Sequence, residues 1–255
     1  MTQYLVITVP GIGEQSSPTP WGMLANLTDH LPATKFASVQ FNWQNTYGPV
    51  PSWDGAAYET NKSAAVSALV ARVEKELDSQ ERSIVLVGYS GGAQVASEAL
   101  AILANRHFED WALLKRLPAA VMVANPVRLH TDSRVSKDVR YGLAGKHALF
   151  PPKTHLIDVA NPRDGICATP PPPHPLRGFT DLSKRFSLMD PVTWGVETFQ
   201  AVSTGQWQNG YNFSTAQAWW DAVALLRGYI YDGQHTSYYV PKLPAIAAQL
   251  DRYLP

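Results

Sequence analysis

Short hydrophobic runs alternate with longer amphipathic stretches along the first 160 residues of the chain. Compact apolar runs bounded by turn residues predict buried strands at 4–9, 36–42, 83–89, 119–124 and 154–160. Helices are predicted between them at 21–31, 62–79 and 91–106, the second with Val66, Leu69, Val70, Val73 and Leu77 at helical spacing. Strands that alternate with helices predict an α/β fold, with a mostly parallel central sheet and helices on both faces.

The remainder of the chain carries no strand pattern. Four consecutive prolines within 169–179 predict a stiff, extended connector. The segment 180–230 is rich in aromatic residues and predicts a helical insertion over the sheet edge, and a last helix is expected from near Leu243. We therefore expect three parts: a core over 1–168, the connector and helical insertion over 169–230, and a closing loop and helix over 231–255.

Composition narrows the classes of function. The chain has 255 residues, which suit one domain with an insertion, and its 21 basic and 21 acidic side chains form no basic run, which argues against nucleic acid as a partner. A single cysteine, Cys167, excludes an intramolecular disulfide. The N-terminal segment lacks the basic region of a signal peptide, and no apolar run approaches the roughly 20 residues of a membrane span. We therefore expect a soluble protein. No His/Cys/Asp cluster has metal-ligand spacing, so we expect neither a metal nor a cofactor.

The stretch Gly88-Tyr89-Ser90-Gly91-Gly92 lies between a predicted buried strand and a predicted helix. In that context Gly-x-Ser-x-Gly indicates a sharp turn that exposes the serine oxygen as a nucleophile, with small residues that let neighbouring chain approach closely. The alternative is a glycine-rich turn that binds phosphate or nothing. No Gly-Lys-Ser/Thr follows, so we favour a nucleophilic Ser90.

A nucleophilic serine needs donors for the oxyanion that its attack creates. The backbone N–H of Gly91 directly follows Ser90 and supplies one. The second donor is expected from the glycine-rich loop that leaves the first strand, and we name Ile12 and Gly13 as candidates within 11–14. An ordinary Pro-Gly turn remains the alternative for this loop.

The base and the acid are expected after the serine, in the order serine, acid, histidine. Of the seven histidines, His235 alone combines a late position with a glycine-containing loop before the final helix. Asp164, in the loop after the last predicted strand, is the better candidate for the acid, because Asp158 lies within that strand. The expected chemistry is acyl transfer, in which His235 deprotonates Ser90 and Asp164 stabilises the imidazolium.

With these residues in place, the chain resembles the cutinase-like branch of the α/β-hydrolases, and within it the lysin B esterases of mycobacteriophages. The segments that carry the resemblance are "YLVITVPGIGEQ", "GYSGGAQVASEAL", "VMVANPVR", "RDGIC" and "DGQHTSYY". The helical segment between acid and histidine is similar to the lysin B linker, and "RDGIC" resembles the acid-bearing segment of cutinases, which implies Asp164 as the acid. Position 91 departs from the Gly-Tyr-Ser-Gln-Gly that is common in the family, so a glutamine side chain is missing there.

The resemblance implies a serine esterase that cleaves the ester between mycolic acids and arabinogalactan in the mycobacterial envelope during phage lysis. It also implies synthesis in the host cytoplasm and release to the envelope through a holin. The expected partner is thus mycolyl-arabinogalactan or another lipid ester, and we expect a monomer. The alternatives are a generic cutinase-like carboxylesterase or lipase of bacterial origin, and a non-catalytic module that binds the envelope.

Four tryptophans in the predicted insertion have two interpretations. They form either an acyl-chain surface or the insertion's own core; the four are Trp194, Trp207, Trp219 and Trp220. Adjacent helix residues point about 100° apart, so Trp219 and Trp220 cannot both face one core. We therefore name this pair as candidate substrate-binding residues.

Overall fold

The computed structural model describes residues 2–48, 55–79, 81–132, 139–183 and 215–255. Its strands are β1 (Tyr4–Val9), β2 (Phe36–Gln40), β3 (Ser83–Tyr89), β4 (Ala119–Val123) and β5 (His155–Val159). The helices that it describes are α1 (Ala25–Thr28), α2 (Tyr58–Ser79), α3 (Gly91–Arg106), α4 (Trp111–Leu114), α5 (Pro175–Ser183), α6 (Ala216–Ile230) and α7 (Leu243–Tyr253). A 3₁₀ turn over Val240–Lys242 precedes α7.

The five strands form one parallel sheet in the order β2-β1-β3-β4-β5. After β1 the chain moves outward to β2 and then returns to the other side of β1, so the strand order reverses between β1 and β3. Ligands of open α/β sheets bind in the crevice at such a reversal, beyond the carboxyl ends of the strands. The loop after β1 and the turn after β3 therefore both lie where a ligand site is expected.

Side chains that alternate along the strands build two cores, one on each face of the sheet. Leu5, Ile7 and Leu86 pack on one face against α2 and α3, whereas Val6 and Val87 pack on the other face against α1 and α7. Strands that are buried on both faces explain the nearly continuous apolar runs in the sequence. The predicted α/β fold, with a parallel sheet between two layers of helices, is confirmed.

Two helix boundaries differ from the prediction. Helix α2 begins at Tyr58, four residues before the predicted start at 62, and the acidic Glu59 in its first turn favours the N-terminus of a helix. The predicted helix over 21–31 is reduced to α1, Ala25–Thr28.

The proline-rich segment also differs from the prediction. It is not extended throughout 169–179, since α5 starts at Pro175. Proline is favoured in the first turn of a helix, where its missing N–H has no partner to lose. The part of the insertion over 184–214 lies outside the described residues, and the division of the chain into three parts remains a prediction.

Arg177 in α5 fastens this segment to the core. Its guanidinium is fully buried and donates hydrogen bonds of 2.8 Å to the carbonyl oxygens of Pro170, Gly142 and Thr169. The same group lies 3.6 Å above the ring of Tyr141. A buried cation with several carbonyl acceptors ties the start of the insertion to the loop before β5.

No helix among the described residues is long and apolar enough to cross a membrane.

The core packing gives a first prediction. Leu100 of α3 is fully buried in the core under the sheet, whereas Leu149 is 85 % exposed. We expect Leu100→Ala to lower the free energy of unfolding by about 2–5 kcal/mol, because it leaves a cavity. Leu149→Ala should change it by about 0.5 kcal/mol or less. Urea unfolding followed by circular dichroism measures both, and equal effects would contradict the assignment of the core.

Candidate active site

Ser90 stands at a sharp turn between β3 and α3. Its backbone has φ 53° and ψ −124°, a conformation that non-glycine residues adopt only when the surroundings hold them there. The Ser90 N–H donates to the carbonyl oxygen of Val123 at the end of β4, at 2.9 Å. This hydrogen bond to the neighbouring strand therefore stabilises the strained backbone of Ser90.

The glycines of the motif are required by space. A Cβ on Gly92 would overlap the carbonyl oxygens of Val9 and Pro10, and one on Gly88 would lie 2.5 Å from the Cα of Ala93. These contacts let α3 begin directly against the end of β1. The close approach expected from the sequence is thus present at both motif glycines.

His235 and Asp164 lie beside Ser90 in the order that the sequence predicts. The Nε2 atom of His235 is 2.8 Å from the Oγ atom of Ser90, and its Nδ1 atom is 2.8 Å from Oδ2 of Asp164. All three side chains are buried, Asp164 completely. These atoms form a continuous hydrogen-bonded chain, although 71 residues separate Asp164 from His235 and 145 separate His235 from Ser90.

The carboxylate of Asp164 is held by further donors. Its Oδ1 atom accepts the N–H of Ile166 at 2.9 Å, and its Oδ2 atom accepts the phenol of Tyr239 at 2.7 Å. Burial raises the pKa of Tyr239, and the nearby thiol of Cys167 and carboxylate of Asp164 raise it further, so the phenol remains a donor. Tyr239 belongs to the segment "DGQHTSYY", but no sequence signal gave its side chain this role.

Cys167 lies against the same carboxylate. Its Sγ atom is 3.7 Å from Oδ2 of Asp164 and is fully buried. Burial raises the pKa of the thiol, and the negative charge of Asp164 adds to that effect. A neutral, buried thiol is a packing group and not a nucleophile.

Asp158, the alternative acid, is occupied elsewhere. Its Oδ2 atom accepts the Nε–H of Arg128 at 2.7 Å, and both side chains are buried. Burial raises the pKa of Asp158 to about 6, even though the charge and hydrogen bond of Arg128 lower it. The geometry therefore favours Asp164 over Asp158 as the partner of His235.

Two tyrosines position the histidine loop. The phenol of Tyr89 donates to the backbone carbonyl of His235 at 2.8 Å, and its ring stacks on the imidazole with centroids 5.4 Å apart. The ring of Tyr229, from α6, lies 5.0 Å from the imidazole on a tilted plane. The imidazole is thus held by its neighbours as well as by its two hydrogen bonds.

Residues 11–14 of the loop after β1 are the expected source of the second oxyanion donor. Gly13 gives its N–H to the carbonyl of Asn45 at 2.9 Å, and Glu14 gives its N–H to the carbonyl of Gly11 at 3.3 Å. The N–H of Gly11 in turn donates to the Glu14 carboxylate at 2.7 Å. Of the candidates within 11–14, Ile12 is the residue whose N–H makes no hydrogen bond to a described residue. The candidate Gly13 is therefore corrected, because its N–H is already bonded, and Ile12 remains.

Glu14 shapes this loop, a role that the sequence did not reveal. Its second carboxylate oxygen accepts the N–H of Met23 at 2.8 Å, which ties the loop to the segment before α1. Ile12 lies directly over the glycine that follows Ser90, since a Cβ on Gly91 would be 3.0 Å from its Cγ1 atom. The side chain that Gly91 lacks is thus replaced in space by Ile12 and, at 3.4 Å, by Tyr58.

A cavity of about 710 Å³ opens at Ser90. One part of its wall is mostly apolar and comes from the loops after β4 and β5, α5 and α6; its apolar residues include Val127, Leu143, Ile166, Leu176, Leu225, Leu226 and Tyr229. The same elements also contribute Lys146 and Thr180 to the lining. The other part is polar and comes from α2 and α3; its residues include Tyr58, Glu59, Lys62, Gln94 and Glu98. Ser90 and Gly91 lie on the same wall as these polar residues, at the start of α3.

The tryptophans named from the sequence lie away from this cavity or outside the described chain. Trp219 and Trp220 are 46 % and 72 % exposed on α6 and do not line the cavity, which the same helix reaches through Leu225, Leu226 and Tyr229. Substrate binding by the two tryptophans stays a prediction. Trp194 and Trp207 fall outside the described residues. In the part of the chain that the structure describes, no group of His, Cys, Asp and Glu could hold a metal ion.

No protein-family model matches the sequence, and no curated protein sequence does. Among solved structures, a cutinase-like protein from Cryptococcus sp. is 18 % identical over 82 % of this chain and 96 % of its own, with a TM-score of 0.51. The catalytic core domain of acetyl xylan esterase from Trichoderma reesei is 18 % identical over 78 % of this chain and 97 % of its own, with a TM-score of 0.50. The chain has a cutinase-like α/β-hydrolase fold.

Lysin B from mycobacteriophage D29 also aligns with the chain. The two chains are 17 % identical, and the alignment covers 99 % of this chain and 88 % of lysin B, with a TM-score of 0.49. Likeness at these identities concerns the fold, and a cutinase-like fold can carry different substrates. The reaction must therefore be argued from the residues of the site.

Proposed function

We propose that the protein is a serine esterase with Ser90 as nucleophile, His235 as general base and acid, and Asp164 as the residue that orients the histidine. The hydrogen-bonded chain of Ser90, His235 and Asp164, with Ser90 in the lining of the cavity, is the observation that carries the proposal. Nucleophile, base and orienting carboxylate within hydrogen-bond reach are the signature of an activated serine.

In the first step Ser90 Oγ attacks the ester carbonyl while His235 Nε2 takes its proton. The buried Asp164 carboxylate stabilises the imidazolium through Nδ1, and the backbone N–H groups of Gly91 and Ile12 stabilise the oxyanion. The C–O bond to the alcohol then breaks, and His235 gives its proton to the leaving oxygen. An acyl group remains on Ser90.

In the second step water replaces the alcohol. His235 takes a proton from the water, the hydroxide oxygen attacks the acyl carbonyl, and the bond to Ser90 Oγ breaks. The proton returns to Ser90 through His235, so the carboxylic acid leaves and the enzyme is restored. The donors of Asp164, namely Tyr239 and the Ile166 N–H, keep the carboxylate in place throughout both steps.

The substrate that we propose is a lipid ester, specifically the mycolic acid ester of arabinogalactan. The apolar residues of the cavity wall, such as Val127, Leu225 and Tyr229, support the proposal that an apolar acyl group lies beside Ser90. The resemblance of the elbow, acid and histidine segments to lysin B esterases supports the mycolyl ester. By the same resemblance, the protein acts at the mycobacterial envelope at the end of phage infection.

Replacement of the nucleophile tests the reaction. We expect Ser90→Ala and His235→Ala each to lower kcat for p-nitrophenyl butyrate by about 10³-fold or more, because each breaks the proton transfer. The control is Ser67→Ala, an exposed serine on α2. Circular dichroism checks the fold, and residual activity of Ser90→Ala above a few per cent would exclude Ser90 as nucleophile.

Replacement of Asp164 and of Asp158 tests which of the two aspartates is the acid and which forms a structural ion pair. We expect Asp164→Asn to lower kcat by about 10⁴-fold, since the amide favours the wrong histidine tautomer. Asp158→Asn should keep kcat within about tenfold of the parent but lower stability by about 3–5 kcal/mol, because Arg128 is left buried without its counter-charge. The opposite order of kcat losses would make Asp158 the acid.

Isolated mycobacterial envelope tests the substrate. We expect the purified protein to release free mycolic acids from mycolyl-arabinogalactan, and Ser90→Ala to release none; thin-layer chromatography of the lipid extract measures both. Hydrolysis of p-nitrophenyl butyrate without release of mycolic acids would indicate a generic carboxylesterase. If the parent protein shows neither activity, the result would indicate a non-catalytic binding module.

A further inference from the structure

The ring of Tyr229 contacts the proposed general base from an element of the predicted insertion. Tyr229 belongs to the last turn of α6, and it also lines the cavity beside Ser90. Its ring centroid lies 5.0 Å from that of His235, and the two planes are tilted by 44°. Neither step of the proposed reaction uses this side chain, so its place beside the imidazole is unexplained.

We propose that the ring of Tyr229 stabilises the imidazolium form of His235, so that α6 contributes to the reaction as well as to the cavity wall. This inference rests on the proposed esterase function. An imidazolium forms in both steps, each time His235 takes a proton from Ser90 or from water. A group that favours the imidazolium over the neutral imidazole therefore lowers both barriers.

The physical basis is the attraction between a cation and the negative face of an aromatic ring, which acts within about 6 Å of the ring centroid. Tyr229 at 5.0 Å and Tyr89 at 5.4 Å from His235 both lie within that distance. Tyr89 also donates its phenol to the backbone carbonyl of His235 at 2.8 Å, so its replacement would disturb the loop as well. Tyr229 is therefore the residue at which the effect of the ring can be measured separately.

The phenol of Tyr229 stays neutral beside the triad. Burial raises the pKa of Tyr229, and the negative charge of Asp164 raises it further. The contact with the imidazolium is thus made by a neutral aromatic ring and not by a phenolate. An alternative role for this side chain is a hydrogen bond from its phenol to a substrate in the cavity, and that role does not need the ring.

The last turn of α6 is fixed between the loops that carry the acid and the histidine. A Cβ on Gly228 would lie 3.2 Å from the carbonyl oxygen of Arg163 in the acid loop and 3.2 Å from the Cγ atom of Gln234 in the histidine loop. The N–H of Gln234 donates to the carbonyl oxygen of Gly228 at 3.1 Å. Tyr229 directly follows this glycine, so the contacts of Gly228 hold its backbone beside His235.

The other titratable groups around the imidazole and its partner carboxylate are of two kinds. They are the carboxylates of Asp164 and Glu14, the phenols of Tyr89 and Tyr239, and the thiol of Cys167. The two carboxylates favour the imidazolium by their charge. Burial raises the pKa values of the two phenols and the thiol, so these three carry no charge. All five are unchanged when Tyr229 is replaced, so a difference between variants at this position reports the ring.

Three replacements separate the ring from the phenol and from the helix. Tyr229→Phe keeps the ring and removes the phenol, whereas Tyr229→Leu removes the ring but keeps an apolar side chain that suits a helix. Tyr231→Leu is the matched control, because Tyr231 directly follows the same helix, is 80 % exposed and is not part of the cavity lining.

The test measures kcat and KM for p-nitrophenyl butyrate as a function of pH. We expect Tyr229→Leu to lower kcat about three- to thirtyfold, as for a lost cation–π contact. The acid limb of the kcat/KM profile should move to lower pH by on the order of half a unit or more, because the imidazolium loses its protons more easily. Tyr229→Phe should restore the position of the limb, and Tyr231→Leu should leave both kcat and the limb unchanged.

A titration of the His235 Cε1–H by proton NMR measures the same property without substrate. Its midpoint should fall in Tyr229→Leu by the same amount as the acid limb, and Tyr229→Met, a second non-aromatic variant, should agree. Thermal unfolding of each variant shows that it is folded.

Three results would contradict these expectations in different ways. An active parent with an unchanged limb and midpoint in folded Tyr229→Leu would overturn this inference alone. A raised KM in Tyr229→Phe, equal to that in Tyr229→Leu and without movement of the limb, would assign the phenol to substrate binding and overturn it as well. Inactivity of the parent protein would overturn the proposed esterase function itself.

Discussion

The site depends on one strained turn, the backbone of Ser90 at positive φ between β3 and α3. The hydrogen bond from the Ser90 N–H to the carbonyl oxygen of Val123 stabilises this conformation. The close approach of Gly92 to the end of β1 stabilises it as well. Both restraints come from neighbouring parallel strands that end at the same edge of the sheet. A residue other than glycine at Gly92 would push α3 away from β1 and release the turn. The position of the Oγ atom is therefore a property of the whole sheet.

A second constraint is the burial of Asp164. A carboxylate without solvent is costly unless donors surround it, and here His235, Tyr239 and the Ile166 N–H all point to it. These donors come from the loop after β5 and from the segment around α7, which closes the second core of the sheet. The same contacts that satisfy the buried charge also fix the ring of His235 beside Ser90. Stability and the proposed chemistry thus rely on the same few hydrogen bonds.

Much of this arrangement is visible in the sequence, because it follows from local patterns and chain order. The apolar runs predict all five strands, the glycines predict the turn at Ser90, and the order of elements selects His235 and Asp164. The parts that the sequence does not reveal depend on contacts between distant residues. Tyr239 reaches Asp164 across 75 residues, and Arg128 occupies Asp158 across 30, and neither pair leaves a local signature.

Three further features cannot be predicted from the sequence alone. The sequence does not distinguish Ile12 from Gly13 as a candidate oxyanion donor, because the hydrogen bond from the Gly13 N–H to the Asn45 carbonyl joins two separate segments of the chain. The polar part of the cavity wall forms only when α2 lies against α3, so the sequence shows its residues on two separate helices without a link. Four consecutive prolines suggested an extended segment up to 179, but Pro175 can also begin a helix, and composition does not decide between the two.

The central claim is that Ser90 is activated by its folded surroundings, and covalent labelling tests it most directly. The folded protein is treated with a small organophosphate that phosphorylates activated serines, and the modified peptide is identified by mass spectrometry. The account predicts a single adduct on Ser90, absent when the protein is first unfolded in guanidinium chloride. An adduct on another serine, or none on the folded protein, would contradict it.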